Sequence, residues 1–294
     1  MDGLINIYKE KGFTSHDVVA KMRGILHMKK IGHTGTLDPD AVGVLPVCIG
    51  KGTRLCSILE NHDKTYEAVL LLGQETDTQD VSGKVLAQKQ VSVSEEQVLS
   101  AFSAFRGKIM QIPPMYSALK VNGKKLYEYA REGKVIERTP RPVEIYELTV
   151  KQIALPRVTF TVSCSRGTYI RTLCHDIGQA LGCGGCMESL IRTRVGNFML
   201  KDAITLGELE EKRDSGMLDS CIITVEDIFG NLPAVHTCKQ FDVLIHNGNR
   251  IHGSMMEEPV QEKQFRMYDS SGVFVGVYEY DPARKDYKPL KMFL

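Results

Sequence analysis

Residues 31–50, IGHTGTLDPDAVGVLPVCIG, constrain this chain more than any other stretch. Gly32, Gly35 and Gly43 stand among them, and glycine reaches backbone angles that other residues avoid, so the segment can fold tightly against a ligand. Pro39 fixes its own φ and pushes Asp38 out of helical geometry. An aspartate stiffened in this way and flanked by glycines is a candidate oriented carboxylate. Asp-Pro is also a common turn former, and a purely structural turn is the alternative reading.

Periodicity around this segment gives a mixed α and β pattern. Leu4, Ile5 and Ile7 predict an opening strand. Ser15 is placed to cap a helix with apolar positions Val18, Val19, Met22, Ile25 and Leu26. A buried strand is expected over 66–72. Ser94 to Gln97 form a capping-box pattern ahead of Val98, Leu99, Phe102 and Phe105. Two strands follow at 143–151 and 157–164. In the second, Val158, Phe160, Val162 and Cys164 alternate with Thr159, Thr161 and Ser163, as one buried face requires. A helix then turns Ile170, Leu173, Cys174, Ile177 and Leu181 inward and ends at Gly182. Thr205 to Glu208 open another helix. From about residue 231, turn signals at Asn247-Gly248 and 269–272 separate short β-type runs and predict a small all-β unit.

Charge narrows the partners. The net charge is +1, but it is unevenly spread. The Pro-, Gly- and Lys-rich stretch 111–141 reads as an insertion and holds seven Lys/Arg against three Glu. Residues 201–230 carry three basic and eight acidic residues. A polyanion is expected to meet the first segment and avoid the second. No phosphate-binding or dinucleotide glycine motif is present, which argues against nucleotide cofactors. Eight cysteines do not reach the density of a disulfide scaffold. Cys183-Gly184-Gly185-Cys186 has C-x-x-C spacing, yet no second pair follows, and a glycine-rich turn after a helix is preferred over a metal site. No signal peptide and no membrane span is read, so a cytoplasmic protein is expected.

Four ordered segments carry a family resemblance. Gly32 through Leu45 match G-H-T-G-x-L-D-P-x-A-x-G-x-L at every fixed position. Lys64-Thr65-Tyr66 follows, with Gly73, Thr76, Asp77, Asp80 and Gly83 behind it. Next come residues 111–120, QIPPMYSALK, with Gly123, Tyr127 and Ala130-Arg131. Last is the run 165–173, SRGTYIRTL, with Asp176 and Gly178. Together they resemble the TruB family of tRNA pseudouridine synthases over most of residues 1–230. Leu190-Ile191-Arg192-Thr193 departs from the family's L-R-R-T at Ile191, which puts one RNA or structural contact in doubt.

The resemblance implies an α+β catalytic domain over 1–230 with a mixed, largely antiparallel sheet, and a PUA-like RNA-binding domain over 231–294. It implies isomerisation of a flipped-out uridine in the T-arm of tRNA, with no cofactor and no metal. Asp38 would be the nucleophile, attacking C1′ of the ribose or C6 of uracil. Arg171 would pair with it, Tyr66 would stack on the base, and Tyr169 would take the C5 proton. Leu190 would pack against the ring. His33 would fill space left by displaced bases, and Lys64 would contact RNA or brace the pocket. Lys120, Lys124 and Arg131 are candidates for phosphate contacts. No protein partner is evident and a monomer is expected. An RNA-folding chaperone, or a synthase acting on another RNA, is the alternative.

Overall fold

A computed structural model describes residues 1–258 and 260–294. The chain opens with β1 (Gly3–Lys9), an apolar strand buried along nearly its whole length. Helix α1 (Ser15–Leu26) follows, capped by Thr14 rather than Ser15. The Thr14 hydroxyl accepts the Asp17 N–H at 3.0 Å, and the Asp17 carboxylate accepts the Thr14 N–H at 2.8 Å. An acidic residue three positions on closes the capping box from Thr14, and this reciprocal pair sets the helix start. Ser15 falls inside the first turn, where its hydroxyl accepts the Leu37 N–H at 2.9 Å. The segment read as one signature loop is a hairpin: β2 (Ile31–His33) and β3 (Val42–Ile49) pair antiparallel, and only residues 34–41 form an arch between them.

After the short α2 (Cys56–Leu59) comes β4 (Lys64–Leu72), whose alternate residues from Lys64 to Leu72 are buried. The hairpin β5 (Gln74–Thr76) and β6 (Val85–Gln88) leads to α3 (Glu95–Ala104), capped by Ser94 and Gln97 as the sequence predicts. Val98 and Phe102 face the core, while Leu99 points to solvent on the opposite side of the helix. The basic insertion starts at the end of β7 (Gly107–Gln111) and is not structureless. It holds a two-stranded ribbon, β8 (Lys120–Val121) and β9 (Lys124–Lys125), and the helix α4 (Leu126–Arg131). The strands β10 (Arg141–Ala154) and β11 (Arg157–Cys164) follow, and the alternation of β11 places Val158, Phe160, Val162 and Cys164 in the core. Helix α5 (Ile170–Ala180) runs into the Gly182-Cys183-Gly184 turn and β12 (Gly185–Val195). Both cysteines of the C-x-x-C are buried there.

β13 (Phe198–Met199), α6 (Leu206–Asp214) and α7 (Val225–Ile228) complete this part. Its nine-stranded sheet has the order β1-β3-β12-β4-β11-β10-β7, with β2 on β3 and β13 on β12. All pairings are antiparallel except β12 with β3. One edge of β3 is given wholly to β1, and the other is divided between β2 at Val47–Ile49 and β12 at Val42–Gly43. The arch therefore projects from the point where β3 changes partner. The remaining residues build β14 (Ala234–His236), α8 (Asp242–His246), β15 (Gln264–Tyr268), β16 (Phe274–Asp281) and β17 (Asp286–Met292). The four strands form a separate sheet in chain order, so the expected β runs are present, with a helix the β reading did not include. Phe293 packs with Leu4, Val44 and Cys48 of the large sheet, and Arg54 donates to the carbonyls of Met292 and Leu294 at 2.8 and 3.0 Å. Among the described residues no helix is long and apolar enough to cross a membrane.

Helix α5 lies close on β12 because both carry glycine at the crossing. A Cβ on Gly178 would sit 2.2 Å from the Gly185 nitrogen. Replacing an interior helical glycine with alanine ordinarily gains about 1 kcal/mol from propensity. Overpacking against rigid backbone costs more, about 1–3 kcal/mol or above. Gly178→Ala is therefore expected to lower the urea midpoint, and a raised midpoint would overturn the close α5–β12 contact.

Candidate active site

The arch 34–41 is held almost entirely by its backbone. The Thr34 N–H donates to Pro46 O at 3.2 Å and Ala41 N–H to Asp38 O at 3.1 Å. Gly12 N–H donates to Pro39 O at 2.9 Å. Leu37 and Ala41 are buried in the main core beside Tyr66 and Leu190. Two buried cations support the arch from beneath. Lys9 extends its ammonium to the carbonyls of Phe13, Pro39 and Glu10 at 2.6, 3.0 and 3.2 Å. Burial brings Lys9 down to about 8. Arg192, 1% exposed, donates to Val44 O at 2.7 Å, Gly35 O at 3.2 Å and Thr36 O at 3.4 Å. Buried charge needs this kind of hydrogen-bonded cradle.

Asp38 projects from the crown and meets Arg171. Spacing gives no means of pairing two residues 133 positions apart, and only the family resemblance implied it; the fold brings them into a two-point ion pair. Arg171 Nε lies 2.9 Å from Asp38 Oδ2 and Nη2 is 3.1 Å from Oδ1. Nη2 also donates to Tyr116 O at 2.9 Å, and Nη1 to Thr78 O at 3.0 Å. The guanidinium thus ties together the arch, the turn after β5 and the start of the basic insertion. The Arg171 side chain is 6% exposed and that of Asp38 is 37% exposed, so the cation is hidden while the carboxylate opens to solvent. Burial is the largest influence on the Asp38 carboxyl and pushes it above the ordinary range. The Arg171 charge pulls it back, and Asp80 adds to the upward push.

Asp80 lies behind the pair, its Oδ2 3.8 Å from Arg171 Nε. Its other oxygen accepts from the Thr78 hydroxyl at 2.7 Å and from the Ser82 N–H at 3.0 Å and hydroxyl at 2.6 Å. The turn that carries it passes through Gln79, which sits at a left-handed φ of 65°. The Gln79 side chain accepts from the Thr172 hydroxyl of α5 at 2.8 Å, which holds this strained residue against the helix bearing Arg171.

The walls come from neighbouring strands. Tyr66 of β4 and Arg192 of β12 are cross-strand partners, and Leu190 is opposite Ala68. Tyr66 is buried, which pushes its phenol up to about 12. Tyr169 is the residue before α5, and its main chain is clamped by the buried Gln111. The Tyr169 N–H donates to Gln111 Oε1 at 3.0 Å, and Gln111 Nε2 donates to Tyr169 O at 3.2 Å. His33, at the foot of the arch, accepts the Gly35 N–H at 3.3 Å through Nδ1, and burial lowers its basicity.

Other sequence-predicted residues are used differently. Lys64 is buried, with its ammonium 2.6 Å from Glu60 O, and burial brings it down to about 8. Its contacts brace α2 against β4. Lys120 is exposed on β8, whereas Lys124 of β9 is ion-paired with Glu132. Lys124 also lies over the Tyr129 ring at 4.9 Å, and Arg131 over Tyr127 at 5.3 Å. This interleaving of cations and aromatic rings suits nucleic acid. Lys9, Gln111 and Arg192 escaped the sequence reading as site residues. A lysine ending an apolar strand and an arginine inside another were the available signals. Among the described residues no group of three or more His, Cys, Asp or Glu is arranged to hold a metal ion.

Comparison with known proteins places this geometry. Residues 23–170 match the family model for the TruB family pseudouridylate synthase N-terminal domain, and residues 171–229 match the tRNA pseudouridylate synthase B C-terminal domain. The chain is 50% identical to a protein of Lachnoclostridium phytofermentans named tRNA pseudouridine synthase B, over 100% of both chains. It is 44% identical to a protein of the same name from Clostridium acetobutylicum, over 94% of this chain and 95% of that one. Among solved structures it resembles a chain of a Cbf5-Nop10-Gar1 complex, with a TM-score of 0.75 and 28% identity over 99% of this chain and 85% of the other. A chain from an H/ACA RNP bound to a substrate RNA containing 2′-deoxyuridine aligns with a TM-score of 0.73 and 26% identity, over the same shares. The sequence likeness extends end to end and the N-terminal family model covers residues 23–170, so the chain belongs to the TruB family of pseudouridylate synthases.

Proposed function

We propose that this protein is a tRNA pseudouridine synthase, an isomerase that converts uridine 55 in the T-loop to pseudouridine, and that Asp38 is its nucleophile. The observation that carries this reading is the solvent-facing Asp38 carboxylate gripped by a buried arginine. Such a pair holds a carboxylate oriented without hiding it. The uridine flips out of its stack to reach it. Tyr66 and Leu190 share an apolar cluster with Leu37 and Ala41 of the arch, and in this reading they stack on and pack against the ring. Asp38 attacks C1′ of the ribose or C6 of the base; the N1–C1′ bond breaks, the uracil turns, C5 bonds to C1′, and the bond to Asp38 breaks to regenerate the carboxylate. Tyr169 accepts the proton leaving C5, and N1 gains one. No group enters or leaves, so no cofactor or metal is required.

The insertion's Lys120, Lys124 and Arg131 approach the phosphate backbone of the T-arm, and the domain over 231–294 adds a PUA-like RNA contact. The enzyme works as a cytoplasmic monomer. Its nearer relatives favour tRNA as the substrate: curated proteins at 39–50% identity carry the tRNA synthase name, while chains of the H/ACA RNP and Cbf5-Nop10 complexes align at 25–28%. A pure RNA-folding module has no use for the Asp38–Arg171 pair.

The central test incubates the protein with unmodified tRNA transcript and EDTA, then maps pseudouridine by carbodiimide-blocked primer extension. A single new stop at the T-loop uridine is expected, and tRNA binding without any stop would shift the assignment to the folding module. Asp38→Asn should lower the rate by roughly a thousandfold or more while tRNA affinity stays within a few-fold. Rates near wild type would remove Asp38 from the nucleophile role.

The pH profile follows from the raised Asp38 pKa. The nucleophile must be ionised, so activity is lost as pH falls through a midpoint above 3.8. Arg171→Gln removes the charge that opposes burial, and the acid limb should move to higher pH. A limb that stays in place would show that Arg171 does not act on Asp38. Binding should weaken steeply between about 50 and 200 mM salt. Lys120→Ala should lower the salt slope by about one. Lys124→Ala should change it less, because Glu132 already neutralises that ammonium. Equal slopes for the two variants would argue against the ion pair shielding Lys124.

A further inference from the structure

Arg192 makes no salt bridge to any carboxylate among the described residues, although it is a fully buried cation. Its bonds go to carbonyls on both feet of the arch: Gly35 and Thr36 before Asp38, and Val44 after it. The contact is close on the main-chain side as well. Gly43, at φ +107°, lies so near β12 that a Cβ there would be 2.3 Å from the Arg192 carbonyl oxygen. β3 and β12 pair in parallel at this point, with Arg192 opposite Gly43. Arg192 is also the cross-strand partner of Tyr66. One residue therefore fixes both ends of the arch to the two strands that carry Tyr66 and Leu190.

We propose that Arg192 is a positioning residue for the pseudouridylation step, acting as a backbone clamp that fixes where Asp38 stands relative to Tyr66 and Leu190. This rests on the assignment of Asp38 as nucleophile. Arg171 holds the carboxylate by its oxygens, and Arg192 holds the segment that presents it. The three carbonyls are met by three separate nitrogens, Nε at Val44, Nη1 at Thr36 and Nη2 at Gly35, a spread that one ammonium nitrogen at the same position does not cover. The carbonyl clamp needs the fork more than the charge.

The test compares wild type, Arg192→Lys and Arg192→Met. For Arg192→Lys the rate at saturating tRNA should fall about 10- to 100-fold, as a misplacement near 1 Å does, with KM and tRNA Kd within about threefold. Amide exchange, read on the free protein, should accelerate about tenfold or more at Thr34, Gly35, Leu37 and Ala41, whose N–H groups are hydrogen-bonded, while amides of β4 and β11 keep their protection. Arg192→Met should show at least the same loss. If Arg192→Met does not fold, Arg192→Lys carries both measurements. A rate within twofold of wild type, a loss of tRNA affinity matching the loss of rate, unchanged exchange in the arch, or exchange raised equally across β4 and β11 would each overturn the clamp. A wild-type protein that makes no pseudouridine would refute the functional assignment, and the exchange measurement would still decide whether Arg192 holds the arch.

Discussion

The guanidinium of Arg171 is the one group that three distant parts of the chain need in common. It satisfies the Asp38 carboxylate, the Thr78 and Tyr116 carbonyls, and lies near Asp80. Three of its five N–H groups donate to acceptors and Nε lies 2.9 Å from the Asp38 carboxylate, which is what allows such a charge to sit at 6% exposure. Opposite charges at this separation attract by a few kcal/mol at the effective dielectric of a protein, and desolvation consumes much of that. Removing either partner leaves the other charge stranded, so the two residues stand or fall together. The surrounding architecture can be read as the means of delivering this side chain. Gly178 lets α5 press on β12, Thr172 anchors the strained Gln79, and Gln111 clamps the main chain of Tyr169 one residue ahead of the helix.

Three cations surround an arch with one reactive carboxylate, and they divide the work. Arg171 touches the carboxylate, Lys9 touches only carbonyls, and Arg192 touches carbonyls and the Tyr66 phenol. The division has an electrostatic reason. A cation bonded to carbonyls keeps its net charge, so the floor of the site stays positive even where no ion pair is visible. That field lowers the basicity of His33 and Lys64, whose second-largest influence after burial is the Arg192 charge. A positive floor also favours the approach of a phosphate-bearing polymer.

Much of this was legible in the residues. The capping boxes at Ser94 and Thr205, the alternation of β11 and the Asp-Pro arch follow from local chemistry, and the structure has them. Where reading failed, a competing local signal or a distant contact decided. Two hydroxyls stood side by side at the start of α1, and Asp17 selected Thr14 because it lies three residues beyond it. Leu99 fits a helical pattern by type but faces away from the core, since only its neighbours Val98 and Phe102 meet β11 and its surroundings. The helix at Asp242–His246 was masked by the turn signals that follow it. The pairing of Asp38 with Arg171 is long-range, and spacing alone carries no trace of it. Arg192 reads as an ordinary strand residue, because nothing in a sequence reveals that its acceptors are main-chain carbonyls.

Phe293 has a consequence for the molecule as a whole. Its ring meets Phe229 and stacks on Phe274 in the apolar cluster that also holds Leu4, Val44 and Cys48, while Arg54 holds the carbonyls on either side of it. The strand that contributes Val44 is also the strand that emerges from the arch of Asp38. The small sheet is thus fastened to the root of the reactive loop rather than hung from a tether. A molecule arranged in this way behaves as a caliper: a long ligand that touches both jaws is gauged for its own length and curvature before any bond is broken.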